Sequence, residues 1–184
     1  EIMKAMWTED EVHYAGKHYQ LEGGICQPKP IQRPHIPLWI AGGGEQITLN
    51  IAAEHAAYSN FGVDLDQFKQ KSQVLEKHCR NLGTDYEAIT RSSNFMVICA
   101  DTEAAVEEKK RWLFAHLTER VPEEKAESTM RLYDRMSGTP AQISERLSEW
   151  EKAGMTYAIS YFADAAHDPS GMELFAKTVL AQLA

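Results

Sequence analysis

The amino-acid sequence predicts an α/β protein built on a parallel sheet. Short apolar segments alternate four times with segments of helical periodicity, an order that favours parallel strands joined by right-handed crossovers. The composition, with 43% hydrophobic and 25% charged residues over 184 positions, is that of a globular chain. Four such units fit either an open, doubly wound sheet or half of an eightfold barrel, because a complete (β/α)8 barrel needs about 250 residues.

The chain begins with a segment that differs from the alternating units. Residues 1–8 have the pattern of a helix end, and residues 12–22 carry aromatic and β-branched residues around a Gly-Lys turn, which predicts a short hairpin. Four prolines follow within ten positions and exclude helix and central strand alike. We therefore predict a single domain over residues 1–184, with a hairpin and proline-rich segment in residues 1–35 and βα units in residues 36–184.

Four segments have the character of buried strands, because each is short, apolar and bounded by glycine, proline or polar residues. They lie near residues 37–41, 56–61, 93–99 and 155–162. We expect these strands to be parallel and adjacent in that order. A strand order that reverses beside Gly42 would instead indicate a doubly wound sheet.

The segments between the strands carry helix signals. Asp64 and Gln67 form a capping-box pattern, and Gly83 stands where a C-terminal cap glycine belongs. Thr139 and Pro140 form an N-cap followed by proline at the first helical position. The periodicity predicts helices near residues 47–54, 64–82, 102–120, 123–136, 139–153 and 170–183.

Charge and cysteine content exclude several functional classes. The formal net charge of −8 argues against sequence-independent binding of nucleic acid and against binding to an anionic membrane. No apolar run approaches the roughly 20 residues that span a bilayer. The three cysteines form no CxxC pair, and the seven histidines lack metal-ligand spacing. We therefore expect a cytoplasmic protein with free thiols, no metal site, no nucleic-acid partner and no membrane partner.

A run of three glycines, Gly42, Gly43 and Gly44, ends the first strand and leads into a helix. Such a loop suits a phosphate, because glycine permits close backbone approach and the helix N-terminus supplies free N–H groups. Thr48 in the first turn offers a hydroxyl donor. Ile47 stands where the G-x-G-x-x-G fingerprint needs its third glycine, which disfavours a dinucleotide fold. A plain tight βα turn explains the motif equally well.

Two stretches of the sequence resemble the luciferase-like monooxygenases, and most closely their deazaflavin (coenzyme F420)-dependent oxidoreductase branch. Residues 16–45 carry the first, which ends in Pro-Leu-Trp-Ile-Ala-Gly-Gly-Gly-Glu, and residues 138–155 carry the second, which begins Gly-Thr-Pro-Ala-Gln-Ile. The resemblance implies the C-terminal half of a (β/α)8 TIM-type barrel with four parallel βα units. It also implies a flavin- or F420-dependent oxidoreductase or monooxygenase that acts on a small organic substrate, with F420 or FMN as cofactor.

The same resemblance implies which residues bind the cofactor. Gly42, Gly43 and Gly44 would end the barrel's fifth strand and run against the cofactor's phosphate and ring, Thr48 would offer its hydroxyl, and Asn60 would lie close to the pocket. Catalytic residues stay unknown, because the family's candidate proton donors belong to the barrel half that is not in this chain.

One position departs from the family pattern. The family usually has Ala-Asp shortly before the strand that ends in the asparagine, and this chain has Ala56-Ala57. The missing carboxylate puts a local hydrogen bond in doubt.

Two other functional hypotheses stay open on the sequence. One is a phosphate-ligand binding α/β module without redox chemistry, and the other is an inactive half-barrel that needs a partner. A half-barrel leaves strand residues of its inner face uncovered, and here these are Trp39, Met96, Ile98, Ile159 and Tyr161. We therefore expect a homo-oligomer or pairing with the missing N-terminal half.

Further polar and reactive residues have structural interpretations on the sequence. We expect Asp101 to cap a helix, Asp164 to lie in a solvated acidic loop, and Cys99 to be a core thiol. Glu45 is expected to favour a helix N-terminus, and His55 to lie at the surface or pack in a loop.

Overall fold

The computed structural model describes residues 1–62 and 64–183, so that Val63 and Ala184 of the predicted domain lie outside the described residues. A first helix, α1 (Ile2–Thr8), precedes an antiparallel hairpin of β1 (Val12–Ala15) and β2 (Gln20–Gly24). The hairpin predicted over residues 12–22 is thereby confirmed.

The four predicted strands form one parallel sheet in the expected order. They are β3 (Trp39–Ala41), β4 (Tyr58–Asn60), β5 (Thr90–Cys99) and, last in the chain, β7 (Tyr157–Tyr161). β4 lies between β3 and β5, and Ser92 of β5 pairs with β4 on one side and β7 on the other. The order does not reverse beside the glycine run, so the doubly wound alternative is excluded.

One strand was not predicted. Residues Met136–Gly138 form β6, which pairs in parallel with the last three residues of β5. The helix predicted to reach Met136 ends at Tyr133 instead. A three-residue strand is too short to show a periodicity of its own, and its position directly after a helix extended the helical pattern across it.

The helices begin and end close to the predicted bounds. Asp64 caps its helix by accepting a 2.9 Å hydrogen bond from the backbone N–H of Gln67, and Gly83 ends it with a φ of 71°. Thr102, rather than Asp101, caps the next helix. The remaining bounds are α2 (Thr48–His55), α3 (Leu65–Leu82), α4 (Glu103–Thr118), α5 (Glu123–Tyr133), α6 (Pro140–Lys152), a 3₁₀ turn (Ala163–Ala166), α7 (Ser170–Phe175), a π-helical turn (Ala176–Leu180) and α8 (Ala181–Leu183).

The main core lies between the sheet and the helices on its outer face. Side chains of α2, α3, α6 and α7 pack there against alternate residues of β5, with Phe95 edge-on to Trp150 at 4.9 Å between ring centroids. A second, smaller cluster joins Ile98 to α4 and α5. Ile98 is therefore 1% exposed, and the expectation that it would be an uncovered inner-face residue is wrong.

The inner face of the sheet carries aromatic side chains that the helices do not cover. The strand register places Trp39 beside Tyr58, and their rings stack at 4.7 Å. Trp39 is 44% exposed and Tyr161 is 47% exposed, as expected for the concave side of an open half-barrel. Met96 and Ile159 are half-buried.

A buried arginine holds the amino ends of two strands together. Arg91 donates hydrogen bonds to the carbonyl oxygens of Gly154 and Tyr86, each at 2.8 Å, and its guanidinium lies 4.1 Å from the centre of the Tyr86 ring. This end of the sheet is thus tied by a structural network. The opposite end of the sheet, where the strands have their carboxyl ends, carries an open cleft.

Candidate functional site

An open cleft of about 350 Å³ lies at the carboxyl ends of β3 and β4 and beside the middle of β5. Its walls include Gly42, Gly43, Asn60, Asn94 and Arg135. Parallel βα folds bind their ligands at this end of the sheet, because the βα loops converge there. The cleft is therefore the candidate site.

The glycine run folds back onto the first turn of α2. The backbone N–H of Gly42 donates a 2.8 Å hydrogen bond to the carbonyl oxygen of Asn60, which fixes the loop to the end of β4. Gly42 has a φ of 122°, and a Cβ there would lie 3.2 Å from Cγ2 of Thr48. At Gly44 a Cβ would lie 2.9 Å from Oγ1 of Thr48.

Within the glycine run, Gly43 has the least crowded surroundings. A Cβ at this position would meet only the aliphatic part of Lys71, at 3.4 Å, and its φ lies outside the left-handed region. Of the three glycines in the run, Gly42 is the one with a positive φ. The need for glycine at Gly44 is steric instead.

The five predicted site residues are not all in one place. Gly42, Gly43 and Asn60 line the same cleft. Gly44 and Thr48 lie just outside it and face each other in the first turn of α2. Thr48 can therefore reach a ligand only at the edge of the cleft.

Glu45 anchors the glycine run to α3. Its carboxylate accepts hydrogen bonds from Nζ of Lys71 at 2.7 Å and Nε2 of Gln70 at 2.9 Å, and its backbone oxygen lies 2.7 Å from Nε2 of His78. The hydrogen bond from Lys71 lowers the pKa of Glu45. Glu45 was expected to favour a helix N-terminus. In the structure it forms this ion pair instead, which holds the loop in position.

Asn60 takes part in a polar cluster that crosses from β4 to β5. Its Nδ2 donates to Oγ of Ser92 at 2.9 Å and to Oδ1 of Asn94 at 3.2 Å. Oγ of Ser92 in turn donates to the carbonyl oxygen of Ser59 at 3.3 Å. The cluster places Asn60 and Asn94 in the wall of the cleft, with Ser92 buried behind them.

Sequence analysis missed Asn94. It lies two residues after Ser92, so both side chains project from the same face of β5. The available signal was the run of polar residues, Thr90 to Asn94, that forms the first half of an otherwise apolar, buried strand.

The acidic loop after β7 is not solvated as expected. Asp164 is 4% exposed and accepts a 2.9 Å hydrogen bond from Nζ of Lys109, which also bonds Asp168 at 2.6 Å. Burial, with Asp101 and Asp164 nearby, raises the pKa of the Cys99 thiol to about 11, which suits a core thiol. His55 lies away from the cleft, with its Nδ1 3.2 Å from Nζ of Lys4.

Across residues 1–62 and 64–183, no three His, Cys, Asp or Glu side chains are arranged to hold a metal ion. Nor does any helix within the described range combine the length and apolar character needed to cross a membrane.

Comparisons with known proteins show which family the sequence resembles. The sequence matches the family model of the luciferase-like monooxygenases over residues 1–157. An F420-dependent glucose-6-phosphate dehydrogenase of Gordonia bronchialis is 30% identical, over 67% of this chain and 36% of its own length. An FMNH2-dependent dimethylsulfone monooxygenase of Pseudomonas putida is 24% identical, over 97% of this chain and 54% of its own.

The fold of solved structures is similar as well. The coenzyme F420-dependent tetrahydromethanopterin reductase of Methanopyrus kandleri superposes with a TM-score of 0.76 at 16% identity, covering 98% of this chain and 60% of that one. The chain thus has the α/β fold of luciferase-like barrel enzymes and spans about half the length of the structures it matches. Because the family model matches most of its length, the chain belongs to the luciferase-like monooxygenase family.

Proposed function

We propose that this chain supplies the cofactor-binding part of an oxidoreductase or monooxygenase that uses F420 or FMN and acts on a small organic substrate. The observation that carries the proposal is the meeting of Gly42, Gly43 and Asn60 in one cleft at the carboxyl end of the sheet. The names of two relatives of this chain include these cofactors: one is F420-dependent and the other FMNH2-dependent.

The residues present fit such a cofactor. The glycine run offers backbone without side chains of its own, and Cβ atoms at Gly42 or Gly44 would press on Thr48. A phosphate suits such a loop beside a helix N-terminus, and α2 has no acidic residue in its first turn. The Asn60, Ser92 and Asn94 cluster supplies neutral hydrogen-bonding groups that suit the polar edge of a flavin or deazaflavin ring.

In this proposal the protein's residues bind and orient, and the cofactor supplies the hydride or oxygen chemistry when bound. The glycine run holds the phosphate end, and Thr48 reaches it from the edge of the cleft. Asn60 is held by Ser92 and Asn94, so its carboxamide keeps one orientation toward the ring. No proton donor is assigned, since none of the described cleft residues other than Arg135 is ionisable.

The inner face of the sheet supports a proposal about assembly. Trp39, Tyr157 and Tyr161 expose nearly half of their surface there, and the helices pack on the other side. We infer that this chain is the C-terminal half of the barrel and that the face is covered by the remaining strands, either of a longer polypeptide or of a second copy. Because the three cysteines are free, we place the protein in the cytoplasm.

A visible spectrum tests the proposed function. Purified protein is mixed with reduced and oxidised FMN and F420, and bound cofactor is followed by its absorbance after gel filtration. Retention of either cofactor supports the proposal. Retention of neither, together with binding of a simple phosphate ligand, would instead favour the phosphate-binding module without redox chemistry.

A further inference from the structure

A second cavity lies away from the cleft, between α4 and the loop that follows β7. Its volume is about 460 Å³, a size that suits a small molecule. α4 contributes Ala105, Lys109 and Trp112, whose spacing places them on one face of the helix. The loop contributes Asp164 and Asp168. None of the described residues that line this cavity also lines the cleft.

Carboxylates outnumber cations around this cavity. Glu108, Asp164 and Asp168 line it, and Lys109 is the one lysine or arginine among its described lining residues. Nζ of Lys109 lies 2.9 Å from Oδ2 of Asp164 and 2.6 Å from Oδ2 of Asp168. Three carboxylates therefore face one ammonium group, and the surplus of negative charge favours a cationic ligand.

Asp164 carries an acceptor that the fold leaves without a donor. Its side chain is 4% exposed and its Oδ2 accepts the hydrogen bond from Lys109, but its Oδ1 has no hydrogen-bond partner among the described residues. An unpaired buried carboxylate oxygen is costly, and most buried polar atoms in folded proteins have a partner. Because Asp164 lines the cavity, a ligand with an N–H group can supply the missing donor.

Aromatic rings form the rest of the wall. The indole of Trp112 is 39% exposed, and its ring centroid lies 5.2 Å from that of His167, which also lines the cavity. His116 stacks on Trp112 at 5.2 Å and fixes the orientation of the indole. An indole attracts cations through its π-electrons and offers apolar surface to a hydrocarbon chain. Surplus carboxylate beside an aromatic wall suits an organic cation.

We propose that this cavity binds a small organic ammonium ion, with its N–H groups on Asp164 and Glu108 and its hydrocarbon part against Trp112. Lys109 shows that the cluster accepts an ammonium group, since its Nζ already bonds two of the carboxylates. The inference goes beyond the proposed function and does not depend on it, because the cavity and the cleft are lined by different residues.

Nuclear magnetic resonance of the 184-residue chain tests the proposal, with n-butylammonium as the probe and 1-butanol as its uncharged analogue. The titration is made at about pH 8, where an ordinary histidine is neutral. The indole N–H of Trp112 and the backbone amides of residues 164–168 should shift in a saturable way with n-butylammonium. 1-Butanol should bind at least about tenfold more weakly, because it lacks the charge.

Three variants test the named contacts. Asp164→Asn should weaken n-butylammonium binding about tenfold or more, because it removes a charged acceptor. Glu108→Gln and Trp112→Leu should each weaken it roughly threefold, since Glu108 and Trp112 are exposed contacts. These two variants decide the question if Asp164→Asn does not fold. Glu127→Gln, an equal charge change at an exposed position of α5 outside the cavity, is the matched control and should leave binding unchanged.

Several results would overturn the proposal. Absence of saturable binding would do so, as would equal affinity for n-butylammonium and 1-butanol, which would show an apolar site only. Equal weakening by Glu108→Gln and Glu127→Gln would show a general charge effect. Shifts centred on Trp39 instead of Trp112 would place the probe on the inner face of the sheet. Retention or loss of FMN and F420 binding is measured separately and bears on the proposed function alone.

Discussion

Asn60 and Asn94 lie on adjacent strands, and Nδ2 of Asn60 donates a 3.2 Å hydrogen bond to Oδ1 of Asn94. Together with the bond from Nδ2 to Ser92, this turns the amide nitrogen of Asn60 toward β5. The carboxamide oxygen of Asn60 is thereby directed away from both partners. We therefore expect Asn94, which lines the same cleft, to position Asn60, the predicted cofactor ligand.

Replacing Asn94 with leucine should loosen the orientation of Asn60 and weaken cofactor binding about tenfold. The free energy of unfolding should change by less than about 0.5 kcal/mol, because the side chain is exposed. Asn81→Leu, an exposed change on α3, is the control and should alter neither property. Cofactor titration and urea unfolding measure the two effects, and unchanged affinity in Asn94→Leu would contradict the positioning role.

Gly42 and Gly43 should respond differently to the same small substitution. Gly42→Ala places a Cβ at a φ of 122° and 3.2 Å from Cγ2 of Thr48, and it should lower the free energy of unfolding by about 1–2 kcal/mol. Gly43→Ala meets only Lys71 at 3.4 Å and should change stability by less than about 0.5 kcal/mol. Chemical denaturation of both variants compares them directly. Equal losses of unfolding free energy would show that the positive φ at Gly42 does not require glycine.

Lys109 should matter much more to stability than its neighbour Lys110. Lys109→Met leaves the carboxylate of Asp164, which is 4% exposed, without its cation, and should destabilise the fold by about 3 kcal/mol. Lys110→Met breaks pairs with the exposed Asp134 and Glu107 and should cost less than about 1 kcal/mol. Similar losses in the two variants would argue against a buried ion pair.

The stability contributed by Asp168 should depend on pH. Hydrogen bonds from Lys109 and Ser170 lower the pKa of Asp168 below its ordinary value of 3.8. A lowered folded-state pKa adds stability above pH 3.8, and this stability is lost as the pH falls toward the folded-state pKa. The difference in unfolding free energy between the unaltered protein and Lys109→Met should therefore become smaller below about pH 4. A difference that does not change with pH would show that the bond between Lys109 and Asp168 adds no stability.

Much of the fold follows from local signals in the sequence. The strand order came from the alternation of apolar and helical segments, and the Asp64 and Gly83 caps came from residues whose side chain or backbone suits one position. Residues that act through distant partners could not be predicted in this way. Asp164 is buried because Lys109, 55 positions earlier, neutralises it, and Asn94 faces the cleft because β4 ends beside it.

Family resemblance supplied the site residues, and the structure refined their roles. Gly42, Gly43 and Asn60 meet in the cleft, whereas Gly44 and Thr48 shape the turn beside it. Arg135 escaped notice because the sequence extended α5 through Met136, which hid the short strand that brings the guanidinium to the cleft.

The exposed inner face predicts association. Sedimentation of the 184-residue chain should show a dimer or a larger species, because a half-barrel leaves Trp39 and Tyr161 exposed to solvent. An activity assay of the same chain should show little or no oxidoreductase turnover, because one wall of the cofactor pocket is missing. Trp39→Lys should weaken the association, while Trp112→Lys, a comparably exposed tryptophan on α4, should not. A folded monomer that turns over substrate would show that this chain holds a complete active site.

Titration of FMN and of F420 into the assembled protein, followed by visible absorbance, tests the cofactor-binding role most directly. The protein should bind one of the two, and Gly43→Val should weaken that binding at least about tenfold without unfolding the chain. The valine side chain would press on Lys71, which anchors the loop through Glu45, and would shift the backbone that lines the cleft. Gly44→Val should also weaken it, by pressing on Thr48. Binding of neither cofactor, or unchanged affinity in both valine variants, would contradict the account.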